Sequence, residues 1–303
     1  MSIAWNNHTL QVVSWVILGW TVFQMTCLLG LMAYRLIRYP SISILEQKHP
    51  THFIFGILVT LYMCLISSFI INWNERVASI FWYIGFASMC LYMIYSLHRW
   101  VSQKIPVAQT SAFYLFGPLP ILLATQLAPY APKDLLFFGW SAGTFWYLFI
   151  HVLLLFRWIH IGLPGQKDRA AMWLLVAASS DSVLSYVSAS ETSNSFGEPA
   201  KALFFLSLLQ FAVLLSLSHR IFASGFVATW WMTTLPSTAF SSSWIAYSLA
   251  TNSRGLLITG TVFAGCATLW IFSLYVLTII WMIRKEFWPK SPYRPPVEAH
   301  PLH

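Results

Sequence analysis

Charge is the scarcest commodity in this chain: Asp, Glu, Lys and Arg together make up 9% of 303 residues, while 58% are hydrophobic. A soluble domain carries about 25% charged residues, and a mean hydropathy of +0.66 excludes one. Cysteine is sparse too. The four present, Cys27, Cys64, Cys90 and Cys266, fall inside apolar runs with no paired ligand spacing. That argues against a disulfide framework or a zinc site and leaves them as small buried hydrophobes. Missing as well are a nucleophile set beside an acid and a base, a Gly-rich phosphate loop and any metal motif, so neither an enzyme nor a cofactor is expected. The formal net charge of +8 would suit nucleic acid, but the basic residues are scattered over short loops. No nucleic-acid partner is expected, and the charge reads as membrane topology. The opening residues, MSIAWNNHTL, lack the ordered basic, apolar and small-residue parts of a removable signal.

What the chain does have is long apolar runs. Nine can be marked: Leu10 to Tyr34, Phe53 to Ile71, Val77 to Leu97, Ser111 to Leu127, Leu135 to Trp158, Ala171 to Ser188, Ala202 to Phe222, Val227 to Leu249 and Leu256 to Ile283. Most approach the roughly 20 residues that a helix needs to cross a bilayer. The expected fold is an all-α polytopic membrane protein in contact with the lipid bilayer. Residues 1–288 form one transmembrane domain, and 289–303 a disordered Pro-rich tail.

The loops alternate in charge. If the first segment ends in the cytoplasm, that side collects 13 cations: Arg35, Arg38, Lys48, Arg99, Lys104, Arg157, Lys167, Arg169, Arg220, Arg284, Lys285, Lys290 and Arg294. The other side holds 4, namely Arg76, Lys133, Lys201 and Arg254. Positive loops face the cytoplasm, which places the C-terminus there.

Proline and charge mark particular spans. Pro118 and Pro120 in the fourth segment and Pro236 in the eighth read as mid-span breaks, and Asp181 in the sixth is the one charge well inside a span. All lie in even-numbered segments. The even set is therefore expected to form an inner ring of broken helices, with the odd set as lipid-facing scaffold in helical hairpins. The stretch Trp230 to Tyr247, WWMTTLPSTAFSSSWIAY, carries hydroxyls where a lipid-facing helix has aliphatics. Because Pro236 has no N–H, the carbonyl of Met232 loses its helical partner, and a kink follows.

Three stretches carry a resemblance: WWMTTLPSTAF at Trp230 to Phe240, RYPSISILEQKHP at Arg38 to Pro50, and GLPGQKDRAAMWLLVAASS at Gly162 to Ser180. The chain resembles the family that contains the bacterial tellurite-resistance protein TehA, the plant slow-type anion channels and the fungal malic-acid and sulfite transporters. The first stretch is similar to the ninth helix of that family, the second to the link between its helices two and three, and the third to the lead into helix seven. The resemblance implies ten helices in five hairpins, a central pore walled by the odd family helices, and a homotrimer. The nine spans here would be family helices two to ten, with MSIAWNN the end of helix one. The expectation is then a chain from which most of the first helix is absent. In this family a phenylalanine before the helix-nine proline closes the pore. Leu235 stands there in this chain, and Ser179 stands where helix seven often has proline.

The candidate residues follow. Leu235, with Pro236, is either a packed aliphatic or, by the resemblance, an apolar constriction. Thr233, Thr234, Ser237, Thr238 and Ser241 either bond backbone carbonyls around the kink or line the pore, where they replace part of an anion's water. Ser179, Ser180, Pro118 and Pro120 join that lining. Asp181 needs a partner, for which Ser179, Ser180, Ser182 and Ser185 are local candidates, or it is a proton site. Arg35 and Arg38, with Arg99 and Lys104, either follow topology alone or gather anions at a cytoplasmic vestibule. His151, the one histidine well inside a span, reads as a packing residue or a heme ligand. The leading function is passage of small anions, chloride-like ions or C4-dicarboxylates such as malate, in a plasma (bacterial inner) membrane. Next comes a proton-coupled exporter of dicarboxylate, sulfite or a tellurium oxyanion using Asp181. From another class comes a heme- or quinone-binding redox protein, which needs paired histidines that His98, His151 and His219 do not obviously provide.

Overall fold

Inside a bilayer every backbone N–H and C=O needs an internal partner, and apolar runs of this length meet that need as helices. The computed structural model describes residues 8–38, 54–71, 73–102, 115, 117–127, 131–190, 196–223 and 226–284. Among them are no strands and nine α-helices of eight residues or more. They are α1 (His8–Arg38), α2 (Ile54–Ile70), α3 (Glu75–Ser102), α4 (Leu119–Gln126), α5 (Lys133–His160), α6 (Leu174–Ala189), α7 (Glu198–Ser216), α8 (Thr234–Ala250) and α9 (Arg254–Ile283). Tyr39 to Pro50 of the stretch similar to the family's link, Lys104 and the tail 289–303 lie outside the described residues.

Helix boundaries follow local chemistry. Proline is favoured in the first turn, where its missing N–H costs nothing. Pro118 and Pro120 open α4 and Pro132 caps α5, while α7 likewise starts with a proline at its beginning. The turn from α8 to α9 uses Asn252 at φ 50°, a left-handed position that asparagine tolerates. Ser253 Oγ then accepts from Leu256 N at the start of α9.

Pro118, Pro120 and Pro236 therefore sit at the starts of α-helices, and at Pro236 this corrects the expected kink. Pro236 is the third residue of α8, and the six residues before it, Ala228–Thr233, form a 3-10 helix. No continuous helix is kinked at Pro236, because the α-helical hydrogen bonding starts there. The same construction precedes α6, where Gln166–Trp173 is a 3-10 helix. These two segments pack against each other. Arg169 secures that end, its Nη1 donating to Arg220 O (3.0 Å) and its Nε to Pro164 O (3.1 Å).

Hairpins pair α2 with α3, α4 with α5, α6 with α7 and α8 with α9, while the first members form a row, α2 to α4 to α6 to α8. This is the expected inner and outer arrangement. α1 contacts α2 at one end of the row and also reaches α9, the hairpin partner of α8. Its Thr26 Oγ1 bonds Tyr62 OH of α2 (2.6 Å), and Gln24 Nε2 donates to Tyr275 OH of α9 (3.2 Å).

Five segments among the described residues are long and apolar enough to cross a membrane. Burial separates one from the rest. The span Asp168–Ala189, which contains α6, is 83% buried, against 28% for Glu75–His98, 33% for Lys133–His160 and for Glu198–Ser216, and 11% for Arg254–Ile283. The exposed faces of α5 and α9 carry Phe145, Val152, Ile159, Leu269, Phe272 and Ile283, which suits lipid contact.

The core lies between α4, α5, α6 and α7, where Leu119, Tyr147, Ile150, Ala178, Val183 and Phe204 are buried together. Glycine allows the close approach of α5 to α4. A Cβ on Gly139 would lie 2.5 Å from Thr125 Oγ1, and one on Gly143 would lie 2.8 Å from Leu122 Cδ2. By contrast, nothing lies within 4 Å of a Cβ on Gly265 of α9. Gly139→Ala and Gly143→Ala are expected to lower stability by about 1–3 kcal/mol through overpacking, whereas Gly265→Ala stays within about 0.5 kcal/mol. Thermal unfolding of the detergent-solubilised protein measures both.

Candidate functional site

The most buried of the five spans also buries the most polar side chains: Ser179, Ser180, Asp181, Ser182 and Ser185 of α6 are all buried. Hydrogen bonds identify which neighbour each side of the helix faces. Ser179 Oγ donates to Gln210 Oε1 of α7 (2.8 Å). Gln210 Nε2 in turn donates to Tyr147 OH of α5 (2.7 Å) and lies 3.3 Å from His151 Nδ1. On another side, Gln126 Nε2 of α4 donates to Asp181 Oδ1 (3.0 Å) and to Asp181 O (3.1 Å). Ser185 Oγ donates to Leu122 O of α4 (2.8 Å). Val176 belongs to an apolar cluster with Leu214 of α7 and Phe240 of α8, so α8 lies next to α7 around the helix.

At 3.6 residues per turn, the face left between α8 and α4 carries Ala177, Ser180 and Leu184. That is the side turned toward the interior of the row. Ala177 and Ser180 have no exposed surface, so the row is closed at this level. Ser180 Oγ has no hydrogen-bond partner, and neither does Asp181 Oδ2. Ser182 Oγ is committed to Ala178 O at 2.7 Å. Ser180 therefore holds the one α6 serine hydroxyl among residues 179–185 whose proton is not spent on the protein.

Opposite stands α8. Thr234, Leu235, Ser237 and Thr238 are half-buried, and Pro236, Thr233 and Ser241 are buried. Each of the five hydroxyls predicted here donates within its own chain segment: Thr233 to Trp230 O, Thr234 to Trp231 O, Ser237 to Thr234 O, Thr238 to Thr234 O and Leu235 O, and Ser241 to Thr238 O. Such back-bonding satisfies hydroxyls inside a membrane helix. Thr233 Oγ1 also accepts from Trp270 Nε1 of α9 (2.6 Å). Leu235 packs against the core cluster that includes Leu115, Leu119, Leu174 and Ala178. Pro118 and Pro120 are buried at the start of α4.

Other predicted residues sit elsewhere. Ser179 faces α7, away from the face shared by α4 and α8, and so does not line that face. Arg38 is exposed at the end of α1, and the side chain of Arg35 lies outside the described set. His151 is buried between Tyr147 and Gln210, whereas His98 and His219 are exposed and not brought to it. Among the described residues no group of three or more His, Cys, Asp or Glu is placed to hold a metal ion.

The carboxylate of Asp181 takes its side-chain hydrogen bond from Gln126 and not from the neighbouring serines, which corrects the expected local partners. Gln126 and Gln210 were missed by the sequence reading. Their signal was available: each is a lone amide in an otherwise apolar run, and a buried amide in a membrane span needs a polar partner. Gln126→Leu is expected to lower stability by about 1–3 kcal/mol, because it leaves a buried carboxyl without its donor. The double substitution Gln126→Leu with Asp181→Leu restores most of that loss, since removing both partners leaves nothing unpaired. Thermal unfolding of the three proteins tests this.

The sequence aligns with an uncharacterized transporter of Methanocaldococcus jannaschii at 25% identity over 171 residues, covering 52% of this chain and 50% of that protein. The aligned part therefore spans about half the length of that relative. A far larger share of the chain, residues 1–279, matches the voltage-dependent anion channel family. With hairpins around a row of inner helices and a hydroxyl-rich wall on α6 and α8, the chain belongs to that family, whose members move anions across membranes.

Proposed function

We propose that this protein passes small anions, chloride-like ions or C4-dicarboxylates such as malate, between α4, α6 and α8. The observation that carries the reading is Ser180: an unpartnered hydroxyl on the most buried helix, on the face between α4 and α8. A hydroxyl donor without a fixed cation binds an anion weakly enough to release it, which conduction requires. Leu235, with Pro236 behind it in the first turn of α8, is the apolar constriction. Thr233, Thr234, Ser237, Thr238 and Ser241 form the wall beside it, their protons spent on carbonyls of their own segment.

The charge asymmetry of the loops orients the C-terminus to the cytoplasm of a plasma (bacterial inner) membrane. Arg35 and Arg38 then stand at the cytoplasmic end of α1, where basic residues raise the local anion concentration. The assembly is a homotrimer, with exposed apolar faces such as those of α5 and α9 available to neighbouring copies. A proton-coupled exporter of dicarboxylate, sulfite or a tellurium oxyanion is the second reading, favoured by the burial of Asp181 among neutral groups.

Single-channel recording in planar bilayers, with chloride and then malate as the charge carrier, tests the pathway. Leu235→Ala is expected to raise anion conductance by about an order of magnitude, since removing apolar groups lowers the barrier to wetting. Leu235→Phe is expected to lower it. Equal conductance in all three proteins would remove Leu235 from the constriction.

A further inference from the structure

Two adjacent side chains of α6 share one peculiarity. Ser180 Oγ and Asp181 Oδ2 are both buried, and both lack a hydrogen-bond partner. Such orphans are rare in a folded protein and call for an occupant. Ser180 lies on the face between α4 and α8, and Asp181 is rotated one residue further, toward α4 and Gln126.

The charges around them decide what that occupant is. α4 brings Gln126 and no titratable group. From α5 come Lys133, exposed and spent on Ser188 O near the end of α6 (2.8 Å), and Tyr147 and His151, both turned to the opposite side of α6, where Gln210 and Ser179 engage them. α7 brings Glu198 and Lys201, paired with each other at its exposed start (2.6 Å). The single titratable residue of α8 is Tyr247, stacked on Phe204. In the 3-10 segment before α6, Arg169 is held by Pro164 O and Arg220 O, and Asp168 is exposed. On α6 itself Tyr186 packs against Trp140. Among the described residues, then, no cation faces Asp181.

We infer that Ser180 and Asp181 form one composite site that takes up an anion together with a proton. The inference rests on the anion-pathway reading and adds its coupling. Ser180 Oγ–H donates to the anion. A carboxylate on the next residue repels that anion in a low-dielectric interior, and a proton on Oδ2 removes the repulsion. The balance is one proton gained by the carboxylate as one anion binds. Gln126 keeps its bond to Oδ1 in either state and fixes the carboxyl so that Oδ2 is the atom that takes the proton. By linkage each ligand favours the other, so anion affinity rises as pH falls, by up to about tenfold per pH unit for one obligatory proton.

The full-length protein in liposomes provides the test, with chloride and malate uptake followed across a pH series and proton entry followed by an internal pH dye. Wild type is expected to show anion-driven proton entry and a KM that falls with pH. Asp181→Asn retains anion flux but loses both proton entry and the pH dependence of KM. Ser180→Ala raises KM roughly tenfold, the loss of one hydrogen bond to a charged ligand, while flux that remains stays proton-linked. His151→Gln keeps the wild-type pH profile. Infrared difference spectroscopy of the wild-type protein on adding either anion at fixed pH needs no variant. A protonated carboxyl band is expected to grow. An unchanged pH profile in Asp181→Asn, or no carboxyl band in wild type, overturns the composite site and leaves the anion pathway standing. Absence of flux for both anions in wild type overturns the pathway reading and the coupling with it.

Discussion

Polar groups buried in the middle of a membrane protein have to be answered by other helices, since neither water nor lipid will do so. In this chain the demand is concentrated on α6, where Ser179, Asp181 and Ser185 require partners at three angles around the helix. Gln210 from α7, Gln126 from α4 and the Leu122 carbonyl from α4 meet it. A rotation of α6 by one residue, about 100°, would break all three of these bonds between helices at once, although Ser179 and Ser185 keep acceptors within α6 at Leu175 O, Val176 O and Asp181 O. Hydrophobic burial holds the helices together without direction, and this set of hydrogen bonds gives them a rotational setting. The relation of Ser180 to the α4 and α8 side follows from that setting, as does the exclusion of Ser179 from it.

Side-chain donors also join inner helices to outer ones and to each other, several of them indole N–H groups. Trp82 of α3 donates to Ala124 O at the end of α4 (2.9 Å), and Ser68 of α2 donates to Leu127 O (3.2 Å). Trp244 of α8 reaches Leu256 O of α9 (2.9 Å). Around the start of α8, Trp231 donates to Thr278 and Trp270 to Thr233. α4 spans eight residues, far less than a bilayer, and such bonds stabilise it where its own ladder stops. The abundance of tryptophan, 16 in the chain, thus includes a structural use inside the bundle beyond the interfacial one.

The hairpin arrangement was legible because it depends on periodic, local features: apolar run length, loop charge and the even placement of proline and Asp181. The prolines show where that legibility ends. Hydropathy reports how long a run is and not where its first α-helical turn lies, so Pro236 reads as an interruption of an α-helix whose first turn in fact contains it. The two 3-10 segments were hidden as well, since hydropathy does not distinguish i→i+3 from i→i+4 hydrogen bonding. The partner of Asp181 lies 55 residues away at Gln126, a pairing that no local spacing encodes. The hydroxyls of α8 were read as either structural or lining, and their hydrogen bonds show the structural part, each proton being spent on a nearby carbonyl.

The contacts of α6 are not alike, and the difference bears on how a closed row opens. Toward α4 and α7 they include side-chain hydrogen bonds, so parting those seams leaves buried donors and acceptors unmet, at about 1–3 kcal/mol each. Toward α8, no side-chain hydrogen bond joins the two helices among the described residues, and the seam consists of groups such as Val176, Ala178, Leu235 and Phe240. Apolar surfaces slide past one another without orphaning a polar atom. The hydroxyls of α8 travel with it, because their bonds are internal to the segment, and the change from 3-10 to α geometry at Thr234 places a different hydrogen-bond pattern at the base of the helix. The α6–α8 seam is therefore the one that parts at the lowest polar cost, and Ser180 borders it.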